Sequence, residues 1–360
     1  MKIGILTYRD VHNHGAVLQA NALKTVLESW GHEVCFLQFQ RNYDLIPSNS
    51  AKKYKLGLSS IPFYIKYMLQ RGISNVVYNF YKNRILNKYR NNSLKLGPRY
   101  SDFQGDVVII GSDEVFSFEV GINPFFFGHG VQCNRILSYA GCFGPTTLSF
   151  LKDHSLEALV TSGLEQMSAV GVRDKNSKDI VESVSSKKAQ LVCDPVILYG
   201  YEKEKAEFKP KQQKYLVVYS YDKNMNDTTE VQAIRNYAKK NNLKVLSVGY
   251  YHKWCDKNIS VSPDELLGYI QNAELVVTDT FHGAVLSLVC NTNFAVKLRG
   301  NSNKLKNLLE EYSLTDRLIE DFSDLEKISS QSIDFDSVNN IIEKRRNFSE
   351  EFLKTSLERN

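Results

Sequence analysis

The sequence predicts an α/β protein of two doubly wound, Rossmann-like domains that face a cleft, closed by a C-terminal helix. Three observations carry this. Short apolar strands alternate with helices, the alternation starts again after a charged stretch in mid-chain, and the distinctive polar residues fall just after predicted strands. Such alternation builds a parallel sheet with helices on both faces. At 360 residues the chain is too long for one small core. Its 42% hydrophobic and 24% charged content is ordinary for a globular protein.

Taken in order, the first half predicts strands at Lys2–Tyr8, Glu33–Phe39, Asp106–Gly111, Arg135–Ala140, Ala169–Arg173 and Gln190–Cys193. Helices are expected at Ala16–Trp30, Ser149–Met167 and Ser177–Val184. The polar run Tyr201–Lys211 reads as a linker. The second half predicts strands at Tyr215–Ser220, Lys244–Gly249, Leu275–Asp279 and Phe294–Leu298. Its helices are expected at Asp227–Asn241, Pro263–Asn272, Ala284–Cys290 and Asn303–Tyr312. From Asp336 to Leu357, Val338, Ile341, Ile342, Phe348 and Phe352 fall on one face, as in a helix that packs on a domain. The boundaries so drawn are 1–199, 212–332 and 336–358. Two such domains across a cleft form a glycosyltransferase-B-like architecture.

The net charge of +5 is unevenly spread. Residues 45–101 hold eleven Lys and Arg and no Asp or Glu, so the remainder is net negative. This block is rich in aromatics, and its apolar residues recur at helical spacing (Ile61, Tyr64, Ile65, Met68; then Val76, Val77, Phe80, Tyr81). Two amphipathic helices are expected there. They either touch an anionic membrane face or form a helical excursion packed on the domain with solvated charges. Nothing points to nucleic acid. The six cysteines are dispersed, without Cys-x-x-Cys or metal-ligand spacing, and read as reduced packing residues. The first residues read as a strand rather than a signal peptide, and no apolar run reaches membrane-spanning length. A cytoplasmic protein is expected, if peripheral on the membrane then on its cytoplasmic face.

The run Val276-Val277-Thr278-Asp279-Thr280-Phe281-His282-Gly283 carries the most chemistry. A buried strand ends there and delivers a histidine and a glycine to the first turn of a helix. That is anion-site geometry, since a helix start presents unpaired N–H groups and positive dipole. His282 can donate to a phosphate or carboxylate, or pass a proton at neutral pH. Alternatively it is a capped turn whose histidine satisfies its neighbours. In the first loop, Gly15 permits close approach of either a ligand or packed backbone. That loop is no G-x-G-x-x-G fingerprint, so dinucleotide binding has no support.

Together with Ile109-Ile110-Gly111-Ser112-Asp113-Glu114-Val115-Phe116, the first loop and the 276–283 run resemble the polysaccharide pyruvyl transferase family. The resemblance extends through Ser138–Gly144, Val172–Ser177, Cys193-Asp194-Pro195 and Asn303–Arg317, so that it covers most of residues 1–320. It is weakest around 45–100.

The resemblance implies transfer of pyruvate from phosphoenolpyruvate to two hydroxyls of a sugar in a cell-surface polysaccharide precursor. The products would be a cyclic ketal and phosphate. No metal or resident cofactor is implied, phosphoenolpyruvate being a co-substrate, and the acceptor sugar would be nucleotide- or lipid-linked. On this reading His282 binds the donor phosphate and acts as the acid, and Thr280 shares the anion with the amides of Gly283 and Ala284. Arg173, Arg299 and Lys304 add positive charge for the donor. Arg173 could instead pair with Asp174 or Asp179, and Lys304 could be an exposed helix-start lysine. Asp113 is the candidate base, or else an N-cap, with Ser112 and Glu114 as sugar contacts. Asn13, His14 and Gly15 line the acceptor side.

The chain departs from the family pattern in three places. Glu114, Val115 and Phe116 stand where many members have Gln then Trp, Thr280 where some have arginine, and Lys304 for a frequent arginine. A nucleotide-sugar-dependent glycosyltransferase of the same architecture is the alternative.

Overall fold

The computed structural model of the protein describes residues 1–40, 72–119, 121–211, 214–300 and 303–358. Seven strands build the first sheet: β1 (Lys2–Leu6), β2 (Glu33–Gln38), β3 (Leu96–Arg99), β4 (Val107–Ile110), β5 (Ile136–Gly141), β6 (Ala169–Val172) and β7 (Ala189–Leu191). They run parallel in the order β3-β2-β1-β4-β5-β6-β7. The second sheet holds β8 (Tyr215–Tyr219), β9 (Lys244–Val248), β10 (Lys257–Ile259), β11 (Leu275–Thr278) and β12 (Phe294–Val296). Its order is β10-β9-β8-β11-β12, again parallel. In both sheets the strand order reverses beside the first strand, between β1 and β4 and between β8 and β11. Crossovers leave such a point in opposite directions, and a crevice opens outside the carboxyl ends of the strands.

The period of two along the strands decides the cores. In β4, Val107 and Ile109 enter one apolar cluster while Val108 and Ile110 enter another on the opposite face. In β8, Val217 joins the cluster of Val107, and Leu216 and Val218 face the far side. That middle layer is continuous. It runs from Ile109 through Leu23 of the helix His14–Ser29 and Leu288 of the helix Phe281–Val289 to Val276 of β11. The two domains are joined through buried apolar side chains.

Several elements differ from expectation. The helix expected over 149–167 is two, Leu148–Asp153 and Glu157–Gln166. Ser155 turns to φ 55°, and the Leu156 amide bonds back to Leu151 O. The stretch expected as a linker instead starts on a fully buried Tyr201, whose hydroxyl donates to Leu18 O at 2.6 Å, and continues as the helix Glu202–Glu207. Strands β3 and β10 were not expected, being short edge strands with half-exposed side chains.

The C-terminal helix Phe335–Glu358 docks beside β7. Ser349 Oγ accepts from the Cys193 amide at 2.9 Å, and Arg345 and Arg346 donate to Leu191 O and Ile197 O. That anchoring sets its rotation, so Ser349, Leu353 and Leu357 are buried while Phe348, expected on the packed face, is exposed.

The basic block holds the helix Ile73–Ser93; the companion expected around 61–68 lies outside the described residues. Its burial also differs from expectation. Val77, Phe80 and Tyr81 are exposed, and Asn75, Tyr78, Lys82, Leu86 and Arg90 are buried. Polar contacts with the second domain turn it this way. Asn75 and Asn79 donate to Asp222, Tyr78 to Ile259 O, and Tyr89 to Asp264. The six cysteines are free thiols, five of them buried. Among the described residues no helix is long and apolar enough to cross a membrane.

Candidate active site

A cavity of about 260 Å³ lies at both reversal points at once. Tyr8 and Asn13, after β1, and Asp113 and Glu114, after β4, supply the first domain's wall. Tyr221 after β8, Tyr250 after β9, His282 after β11 and Lys304 after β12 supply the second's. Every one follows the carboxyl end of its strand. The fold rule therefore makes this crevice the candidate ligand site.

His282 sits in the first turn of the helix Phe281–Val289, which begins three residues earlier than expected. Thr280 is the reason. It is the N-cap, its Oγ1 accepting from the Gly283 amide at 3.0 Å, while Ala284 N bonds to Thr280 O. The amides of Gly283 and Ala284 are thus taken by the cap, and those of Phe281 and His282 are left as the open donors of this helix start. Gly283 is required by packing, since a Cβ there would lie 2.0 Å from Thr278 Oγ1. The His282 imidazole is buried, and its Nε2 has no hydrogen-bond partner, with Asp194 Oδ2 3.8 Å away. Burial pulls its pKa below the ordinary value, outweighing Asp194 and Asp113, which favours the neutral ring at pH 7.

Arg173 is nearly fully buried behind the wall, rather than facing the cavity. Its Nη1 donates to Asp194 Oδ2 at 2.8 Å and its Nη2 to Asp113 Oδ1 at 3.3 Å. The guanidinium also lies 4.2 Å from the centre of the Phe281 ring, a cation–π contact across the domain boundary. Burial works against its charge, and Cys142, Asp194 and Asp113 more than offset that. Neither Asp174 nor Asp179 is its partner; Asp174 caps the following helix. Asp113 has φ 75°, and its carbonyl accepts from Cys142 N and Val115 N. Burial alone would raise its pKa, but Arg173, His282 and Lys304 together hold it below the ordinary carboxylate value. It is an ionised acceptor at neutral pH.

The other expected cations are also spoken for. Lys304 pairs with Glu114 across the cavity mouth, joining the two domains, and remains charged despite burial because of that carboxylate. Arg299 is bidentate on Glu230 at 2.6 and 2.9 Å and reaches Asp279 at 3.2 Å, and it does not line the cavity. The donor site expected as a basic wall is instead a set of charge pairs. A ligand anion that reaches Lys304 in the cavity meets Glu114 as a competitor.

Of the residues expected on the acceptor side, Asn13 and Glu114 line the cavity, with Asn13 Oδ1 capping the helix His14–Ser29 through the Gly15 amide. His14, Gly15 and Ser112 do not line it. His14 is fully buried, its Nε2 donating to Val261 O at 2.9 Å across the domain boundary, and burial lowers its pKa to about 3. Gly15 is approached by His282 itself, since a Cβ there would lie 2.2 Å from the imidazole Cγ. Ser112 is fully buried, its carbonyl accepting from Thr7 Oγ1. Sequence reasoning missed Asp194 as a site residue. The sequence offered it only within the Cys193-Asp194-Pro195 segment of the resemblance, without a role; it also caps a helix, accepting from Val196 N. No cluster of three or more His, Cys, Asp or Glu suited to a metal occurs among the described residues.

The fold class is the one expected. Solved structures that superpose over the whole chain are of the glycosyltransferase-B kind. A Methanocaldococcus jannaschii UDP-GlcNAc 2-epimerase in complex with UDP-GlcNAc and UDP is 11% identical with a TM-score of 0.51, each chain covered to 99%. The glycotransferase of kitacinnamycin is 9% identical with a TM-score of 0.51, again covering 99% of both chains. Arabidopsis thaliana UGT89C1 complexed with UDP-L-rhamnose is 9% identical with a TM-score of 0.50, covering 99% of this chain and 98% of that one. No curated protein matches the chain. The model of the polysaccharide pyruvyl transferase family matches residues 13–298, and the chain belongs to that family.

Proposed function

We propose that the protein transfers the pyruvyl group of phosphoenolpyruvate to two hydroxyls of a sugar in a cell-surface polysaccharide precursor, as a cyclic ketal, with release of phosphate. One observation carries the reading beyond family membership. A buried imidazole without a hydrogen-bond partner and an ionised carboxylate, His282 and Asp113, border one cavity at the reversal points of both sheets.

In this account the donor phosphate meets the open amides of Phe281 and His282 and replaces Glu114 as the partner of Lys304. Its negative charge then raises the pKa of His282 and protonates the ring. Asp113 takes the proton of the first sugar hydroxyl as its oxygen adds to the central carbon of the enol, and His282 gives its proton to the methylene carbon. The second hydroxyl displaces phosphate at the same carbon and closes the ketal. Of the two hydroxyl protons, one balances that now on the methyl group and one leaves with phosphate. Arg173 touches neither substrate; it holds Asp113 and Asp194 in place.

The test is phosphate release from phosphoenolpyruvate in the presence and absence of sugar acceptors. Acceptor-dependent release is expected, and His282→Ala should lower it by roughly 10²–10⁴-fold with the unfolding curve unchanged. Turnover of UDP-sugars with no consumption of phosphoenolpyruvate would overturn the proposal.

A further inference from the structure

Beside the main cavity lies a second, shallower one of about 270 Å³, lined by Lys82, Tyr221, Asp222, Lys223 and Tyr250. The two share Tyr221 and Tyr250 as a common wall. Lys82 comes from the helix Ile73–Ser93, on its side facing the second domain, and is 4% exposed. Its ammonium lies 4.2 Å from the centre of the Tyr250 ring. Unlike Arg173, Lys304 and Arg299, it has no carboxylate partner among the described residues.

The neighbouring acid does not fill that role. Asp222 Oδ1 accepts from the Tyr251 amide at 3.0 Å, and its Oδ2 accepts from Asn75 and Asn79 at 3.3 Å each. Three N–H groups hold this carboxylate, and they fix it away from ion-pair distance of Lys82. Nor does the sequence around Lys82 offer another acid, since residues 45–101 contain no Asp or Glu. A buried ammonium that meets only an aromatic face and a polar cavity is costly unless an anion completes it. Burial lowers the Lys82 pKa to about 8, with Asp222 acting against that.

We propose that Lys82 and Tyr250 form a second anion subsite, next to the reaction cavity, which takes the phosphate or diphosphate that links the acceptor sugar to its carrier. This inference rests on the proposed function for the word acceptor. The shared tyrosine wall gives it its geometry. A sugar stacked on the exposed ring of Tyr221, which stands at 71° to the buried Tyr250 ring, would extend its hydroxyls toward Asp113 and its linking phosphate toward Lys82. Nucleotide-linked and lipid-linked sugars share this chemistry, and the subsite reads the charge common to both.

The experiment is titration calorimetry on the full chain with inorganic pyrophosphate, UDP, farnesyl diphosphate and phosphoenolpyruvate, at fixed ionic strength. The wild-type protein should bind the diphosphate probes, and saturating phosphoenolpyruvate should not displace them. Lys82→Met should weaken diphosphate binding at least tenfold while leaving the affinity for phosphoenolpyruvate within twofold, which also shows that the variant is folded. Lys82→Arg should restore it, and should hold its affinity above pH 8 where the wild type loses it. Tighter binding of UDP identifies a nucleotide carrier and tighter binding of farnesyl diphosphate a lipid one. Equal diphosphate affinity in wild type and Lys82→Met, or full displacement by phosphoenolpyruvate, overturns the subsite. A wild type that binds diphosphates through Lys82 but never phosphoenolpyruvate keeps the subsite and defeats the pyruvyl transfer reading instead.

Discussion

Arg173 is the residue on which the others turn. It is the shared partner of Asp113 and Asp194, and it stacks on the ring next to His282. Removing one member of a buried charge set strands the rest, at a cost of about 3–5 kcal/mol. Arg173→Met should therefore lower the unfolding free energy by about that much, read from urea melts. Arg173→Lys keeps the charge but cannot span two carboxylates, and should fall between the two. A Met variant as stable as wild type would show that these carboxylates do not depend on the guanidinium. The sequence placed Arg173 at a strand end and could not say which way it pointed. Its partners are distant in the chain, Asp113 on the β4 loop and Asp194 after β7, and only the fold brings them to it. For the same reason the expected basic wall became a set of ion pairs.

At the scale of elements, the helix His14–Ser29 and the helix Phe281–Val289 meet at Gly15 and His282. Their approach is too close for any side chain at 15. Gly15→Ala should destabilise the protein by about 1–3 kcal/mol, the usual cost of forcing atoms into a packed site. In a His282→Gly background the same change should cost much less, because the ring and the Cβ that it would meet at 2.5 Å are both gone. Additive effects in thermal or urea unfolding would mean the two residues do not touch.

Element existence was legible because short, continuous apolar runs rich in β-branched residues, such as β4 and β8, alternate with helical patterns as in a parallel sheet. Element ends were less so. A serine at positive φ broke the 149–167 helix, and Thr280 capped the 281–289 helix earlier than its apolar pattern suggested. The helix Ile73–Ser93 shows the limit most clearly. Its moment pointed one way, and hydrogen bonds from Asn75, Asn79 and Tyr78 turned it the other. Hydropathy carries no information about such polar docking.

For the whole molecule, the two domains share one middle core and are keyed together by a buried neutral histidine. His14 donates to Val261 O from the opposite domain, and its folded pKa is about 3. The unfolded value is ordinary, near 6.5. The unfolded chain thus takes up a proton that the folded one refuses. The stability this provides is complete above pH 6.5 and is lost as pH falls toward 3, by on the order of 5 kcal/mol. Urea midpoints should drop over that window in wild type and drop less in His14→Gln; parallel curves would show that His14 is not the proton acceptor. Burial lowers the pKa of His282 in the same way, and the proposed donor anion would reverse it.

Proton uptake on donor binding is therefore the most direct measurement of the account. Calorimetric titration of phosphoenolpyruvate at pH 7, in two buffers of different ionisation enthalpy, should show uptake of about one proton by wild type and none by His282→Gln. Phosphoenolpyruvate that does not bind the wild type, or binds both proteins with the same proton uptake, would contradict it.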